Sequence, residues 1–179
     1  LQGWKPQAIP AWCLWILRWQ VGLVYFFAAV AKFQGDWLLH GQPLNIWLMA
    51  NSDFPVLGPY FVTHTAAMAM SWAGFLNDLL MAPALLWKKT RIWAYTIVVV
   101  FHIVTGMLFN IGMFPYIMIV GATIFFPPDW PKELFARFKK SVPLVSVAPS
   151  SHRLGRRGLA VVLVYCLVQG LVPLRSVAF

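Results

Sequence analysis

Tyr25-Phe26-Phe27-Ala28-Ala29-Val30-Ala31-Lys32-Phe33-Gln34-Gly35-Asp36-Trp37-Leu38-Leu39 is the stretch on which the reading of the chain turns. An apolar run, small-residue in its middle, ends in one lysine and passes into an aspartate, a tryptophan and two leucines. The run extends upstream to residue 10, with Arg18 and Gln20 inside it, and residues 10–33 are long enough to cross a bilayer as a helix. A lysine closing such a helix has two physical readings. It can snorkel, its stem on lipid and its ammonium among the headgroups, where the helix C-terminus favours a cation. Alternatively it faces a cavity, where desolvation disfavours the charge and the neutral amine is available as a base.

The composition of the whole chain decides the class. Of 179 residues, 60% are hydrophobic, 16% aromatic and 11% charged, whereas soluble domains carry about 25% charged residues. This predicts an all-α, polytopic integral membrane helix bundle: a single transmembrane domain over residues 1–179. The net charge of +9 sits in short clusters between apolar runs, as the positive-inside rule expects. Those clusters lack the aromatic interleaving of a single-strand binder, so membrane lipids and not nucleic acid are the expected partners. Cys13 and Cys166 lie in apolar runs and read as packing residues. No metal is expected, because His40, His64, His102 and His152 are scattered without ligand spacing. Phosphate loops, H-E-x-x-H and nucleophile elbows are also missing from the sequence. With Leu1 in place of a methionine and no signal-peptide layout, the expectation is a part of a longer chain.

Five spans are predicted, at residues 10–33, 59–87, 92–109, 111–126 and 158–172. Asp36, Gly41, Pro43, Asn51, Asp53 and Pro55 punctuate residues 34–57, which are too interrupted to span. Trp37, Leu38, Leu44, Ile46, Trp47, Leu48 and Met49 give that segment an apolar face, predicted to lie along the membrane surface. Pro83 is expected to kink the second span, and Arg18 either to snorkel from the first to the cytoplasmic side or to pair inside the bundle. Residues 132–140 set Leu134, Phe135 and Phe138 against Arg137, Lys139 and Lys140, the pattern of a basic interfacial helix. If the helices alternate, the loop from Lys132 to Arg157 and Lys88-Lys89-Thr90-Arg91 share the cytoplasmic side, and residues 34–57 lie opposite.

Taken in order, several motifs resemble one family. They are Tyr25-Phe26-Phe27-Ala28 through Lys32, Asp36-Trp37-Leu38, Asp78-Leu79, Thr90-Arg91 and Phe101-His102. Leu108-Phe109-Asn110-Ile111-Gly112-Met113-Phe114-Pro115 and Phe126-Pro127-Pro128-Asp129-Trp130-Pro131 follow. The set is similar to the vitamin K-dependent γ-glutamyl carboxylases and their wider relatives, the horizontally transferred transmembrane (HTTM) domain proteins. It extends roughly from Pro10 to Arg175, and the ordered set is more specific than any one motif. In that family a lysine is taken to deprotonate vitamin K hydroquinone. Oxygenation of the quinone then yields a strong base that removes a γ-proton from a substrate glutamate, and the carbanion captures carbon dioxide. The resemblance implies Lys32 at the position of the catalytic lysine, His102 at a family histidine within the bundle, and vitamin K hydroquinone or another quinone as cofactor. His64, Asp78 and Asn110 are the candidate cofactor-binding residues.

Helix arithmetic places these residues relative to one another. Lys32, His64 and Asn110 all close spans on one side, so they are expected at one depth beside an outer cavity. Asp78 lies ten residues before Lys88 and His102 eleven after Arg91, so the hairpin sets them level to within about one residue's rise of 1.5 Å. An isolated aspartate in mid-helix costs about 2.5–3.5 kcal/mol, and pairing with His102 would relieve that cost. The rival is Asp78 bonded to Asn77 or to backbone freed by Pro83, with His102 on a carbonyl. Two function classes stay open: a carboxylase-like enzyme or quinone-binding protein, and a non-catalytic accessory subunit packed against other membrane-protein subunits.

Overall fold

The structure, a computed structural model, describes residues 10–131 and 155–173, so the interfacial helix expected at 132–140 lies outside the described residues. Those residues are helical, without strands. The helices are α1 (Ala11–Lys32), α2 (Gly35–His40), α3 (Leu44–Met49), α4 (Gly58–Phe61), α5 (His64–Leu86), α6 (Arg91–Leu108), α7 (Phe114–Ala122) and α8 (Arg156–Leu171), with a 3-10 turn at Thr123–Phe125. They form two units, Val21–Thr123 and Leu1–Gln20 with Ile124–Phe179.

Three helices, α1, α5 and α6, are long and apolar enough to cross a membrane. The other two expected spans correspond to shorter pieces: Phe114–Phe125, α7 with its 3-10 turn, and the 16-residue α8. Within Val21–Thr123, α5 is the post on which the rest is hung. Thr63 starts it, its side chain accepting from the Ala66 amide, which satisfies one of the donors a helix N-terminus leaves open. The helix continues through Pro83 to Leu86. Its final carbonyls are met from the following turn: Thr90 Oγ1 donates to Ala84 O at 2.7 Å, and Arg91 donates to Leu85 O at 3.0 Å and Leu86 O at 3.2 Å. Thr90-Arg91 thus closes the end of one spanning helix while opening the next.

Residues 34–61 fold back onto α5. Trp37 Nε1 donates to Ser71 O at 3.0 Å, the Ser71 hydroxyl donates back to Trp37 O, and Trp72 Nε1 donates to Leu38 O at 3.0 Å. Leu38 packs with Ala29 and Phe75, and Leu48 with Phe61, Ala67 and Leu108. Leu38, Leu44 and Leu48 are therefore buried in protein, while Leu39, Ile46, Trp47 and Met49 remain exposed. The physical reason is the backbone: short broken helices leave polar ends, which an apolar medium tolerates only where protein covers them. Gly41 makes the fold-back possible. Its φ of 64° is left-handed, its amide caps α2 on Asp36 O, and an added Cβ would stand 3.3 Å from the α5 backbone at Ala67 and Met68.

In the other unit Arg18 does not snorkel. It donates to Ile124 O at 3.0 Å and to Phe125 O and Phe126 O at 3.3 Å, covering carbonyls at the end of the 3-10 turn. Gln20 Nε2 donates to the Tyr165 hydroxyl, tying α8 to the start of α1.

Candidate functional site

Three helix stripes converge on one cavity. Tyr25, Ala28 and Lys32 recur at three, four and seven residues on α1, and Met70, Gly74 and Asp78 at intervals of four on α5. From α6 come Phe101, His102 and Thr105, from α7 Phe114 and Met118, and the fold-back segment adds Trp37, Leu44 and Trp47. Together with Val24, Phe109 and Ile111 they line a partly open cavity of about 240 Å³. The wall is apolar except for a few groups.

The strongest of these is an ion pair. Lys32 Nζ lies 2.5 Å from Asp78 Oδ2, with the side chains 21% and 9% exposed. The same Nζ leans back toward Ala28 O at 3.4 Å and stands 5.3 Å from the Trp37 ring centroid, a cation–π distance. Asn77 Nδ2 donates to the other carboxylate oxygen at 3.2 Å. Gly74 leaves room for the lysine stem: an added Cβ would already touch Lys32 Cε at 3.9 Å. The lysine therefore faces the cavity, with the Asp78 carboxyl group within hydrogen-bond distance of its nitrogen.

For His102 the rival arrangement holds, a backbone carbonyl in place of Asp78. Its Nδ1 is 2.8 Å from Val98 O. A carbonyl only accepts, so Nδ1 carries the proton and Nε2 is left as an acceptor. The predicted Asp78–His102 pair is not formed. Both side chains line the same cavity, as their equal depth required, but Lys32 arrives from α1 at that level and a full charge outcompetes a neutral imidazole. This also corrects the expected depth of the lysine. Its partner Asp78 is fourteen residues beyond His64 on α5, about 21 Å further along the helix at 1.5 Å per residue. His64 is exposed at the first residue of α5, and Asn110 is exposed in the turn after α6. Neither lines the cavity, although Phe109 and Ile111 on either side of Asn110 do.

A family model for the HTTM domain matches residues 2–130, well over half of the chain. The chain belongs to the HTTM-domain family. It is a membrane protein, its α1, α5 and α6 each long and apolar enough to cross a membrane. No solved structure matches it. The HTTM match takes in every cavity-lining residue and stops before α8.

One residue of the HTTM cavity carried no assigned role in the sequence. Tyr25 is 1% exposed, and its hydroxyl has no hydrogen-bond partner among the described residues. The available signal was its spacing, a phenol two helical turns before the one lysine of an otherwise apolar run. Trp37, placed by the sequence on an apolar face, also joins α2 to α5 and faces the lysine. Among the described residues no cluster of three or more His, Cys, Asp or Glu side chains could hold a metal. Chemically, the site sets a basic and an acidic side chain together in a largely apolar wall, an arrangement suited to moving a proton.

Proposed function

We propose that this HTTM-domain protein binds a lipid-soluble quinol in the cavity and that the Lys32–Asp78 pair moves the proton of its hydroxyl. The observation that carries this reading is the ion pair itself, set 2.5 Å apart in the wall of an apolar cavity of about 240 Å³. A flat aromatic ring suits walls built from Trp37, Trp47, Phe101 and Phe114. The donor set suits a phenolic oxygen. When bound, a quinol would supply a hydroxyl whose ionised form needs a cation beside it. Lys32 Nζ is that cation, and its preorganised charge costs no reorganisation when the proton leaves. Asp78 Oδ2 is the atom that receives the proton, directly or relayed by the lysine, and Asn77 steadies the second oxygen. The division of labour differs from a lysine acting alone: the carboxylate takes the proton and the ammonium stays.

The resemblance to the vitamin K-dependent carboxylases supports a quinol over other phenols and favours vitamin K hydroquinone among quinols. In the same reading the protein crosses the membrane several times with its basic hairpin, Lys88 to Arg91, on the cytoplasmic side. The test is extraction of the purified protein followed by mass spectrometry of bound lipids, with an added short-tailed naphthoquinol titrated against tryptophan fluorescence. Wild type should carry or bind a quinone, and Lys32→Met should lose it by more than tenfold. A wild-type protein that neither retains a quinone nor binds the added naphthoquinol would overturn the reading and favour an accessory subunit.

A further inference from the structure

We infer that Trp37 is a positioning residue, the latch that keeps the Lys32 side chain turned into the cavity and away from the membrane surface. The inference goes beyond the quinol reading, because it concerns where the amine stands and not what binds beside it. Lys32 is the last residue of α1, and its flexible stem has two destinations. Residues 33–36, which follow it, are all exposed, and Asp36 among them offers a second carboxyl group four residues on. An outward lysine would find water, headgroups and that carboxyl group, the ordinary resting place of a lysine at the end of a spanning helix. The structure shows the inward destination. Nζ runs back one turn toward Ala28 O at 3.4 Å and meets Asp78 Oδ2 at 2.5 Å, with the side chain 21% exposed.

Trp37 stands beside that inward amine. Its ring centroid is 5.3 Å from Lys32 Nζ. An amine N–H is drawn to the negative face of an aromatic ring, more strongly when the amine is charged. The ring is itself held in place. Its Nε1 donates to Ser71 O at 3.0 Å, and the hydroxyl of Ser71, a residue with no exposed surface, donates back to the Trp37 carbonyl. Ser71 and Asp78 both stand on α5, so one helix fixes both neighbours of the amine, Asp78 directly and the indole through Ser71.

The same segment supplies a matched comparison. Trp72 also ties α2 to α5, its Nε1 donating to Leu38 O at 3.0 Å. Trp37 lines the cavity that holds Lys32, and Trp72 does not. Loss of either indole removes a bond between the two helices, but only loss of Trp37 removes a ring from beside the lysine. A general loosening of α2 and the release of a latch therefore give different results.

The experiment acylates the purified chain in lipid nanodiscs with sulfosuccinimidyl acetate, a charged reagent that stays outside the bilayer. Peptide mass spectrometry follows Lys32 against the exposed Lys88 of the same molecules. Wild-type Lys32 should react at least about tenfold more slowly than Lys88. Trp37→Leu should speed Lys32 about tenfold, the factor expected for loss of a largely desolvated cation–π contact, and leave Lys88 unchanged. Trp37→Phe keeps a ring face without the indole anchor and should fall between wild type and Trp37→Leu. Trp72→Phe should leave Lys32 protected. A wild-type Lys32 as reactive as Lys88, or a Trp37→Leu protein that labels at the wild-type rate, overturns the latch. So does a Trp72→Phe protein that labels as fast as Trp37→Leu, because the tie between helices and not the ring would then hold the lysine. A Trp37→Phe protein as fast as Trp37→Leu also overturns it. No quinol enters the test, so failure of the latch leaves the quinol reading to its own titration.

Discussion

Removing one member of the Lys32–Asp78 pair is the most direct perturbation, and the two single substitutions are expected to differ. Breaking a buried ion pair by deleting one partner costs about 3–5 kcal/mol, because the survivor is left uncompensated. Here the two survivors are unequal. With Lys32→Met, the Asp78 side chain, 9% exposed, keeps only the Asn77 amide as a donor. Its loss should reach about 3 kcal/mol, in line with the cost of an isolated aspartate at the centre of a membrane helix. With Asp78→Asn, the ammonium keeps Ala28 O, the Trp37 face and its 21% exposure, so about 2 kcal/mol is expected. The double variant has neither charge and should lie within about 1 kcal/mol of wild type, since apolar replacements of buried pairs are often neutral. Equilibrium unfolding in mixed micelles, followed by tryptophan fluorescence, measures all four proteins. Single losses that simply add in the double variant would refute the pair. A larger loss for Asp78→Asn than for Lys32→Met would refute the assigned surroundings.

Gly74→Leu should keep the fold and abolish naphthoquinol binding, because the new side chain occupies the space that now holds the lysine stem and the cavity beside it; unchanged binding at unchanged melting temperature would contradict the cavity. Arg91→Met should destabilise by about 1–2 kcal/mol, the worth of charge-assisted bonds to two helix-end carbonyls. Hydrogen exchange locates that effect: amides in the last turn of α5 should lose protection, and an even change over the whole helix would argue against capping.

How far the sequence could be read depended on what constrained each residue. Composition and helical periodicity were enough for α1, α5 and α6, because a run of apolar residues at spanning length has few other stable forms. The equal depth of Asp78 and His102 was legible because a four-residue hairpin joins their helices and fixes the register. The lysine partner of Asp78 was not. A short connection sets depth but not which third helix arrives at that depth, and α1 is joined to α5 by the long fold-back segment. For the same reason Lys32 looked level with His64 and Asn110, whereas it meets α5 well inside the helix. In residues 34–57 the sequence left open which apolar side chains meet protein. An apolar stripe reads the same whether it faces lipid or protein, and only the reciprocal Trp37–Ser71 bonds, which join residues far apart in sequence, tell the two apart. Tyr25 was hidden by its type, since aromatic side chains in a membrane protein usually read as interfacial belts.

The inward fold of residues 34–61 separates two kinds of inheritance in the cavity. The groups that carry charge and protons, Lys32, Asp78 and His102, stand on α1, α5 and α6, where a change disturbs a whole spanning helix. Trp37, Leu44 and Trp47, which shape the remaining wall, stand on two six-residue helices between α1 and α5. On the proposed quinol reading, altering or lengthening that short excursion would admit a bulkier or slimmer ring and leave the proton-moving end intact. The loop would then set what enters, and the posts what happens to it.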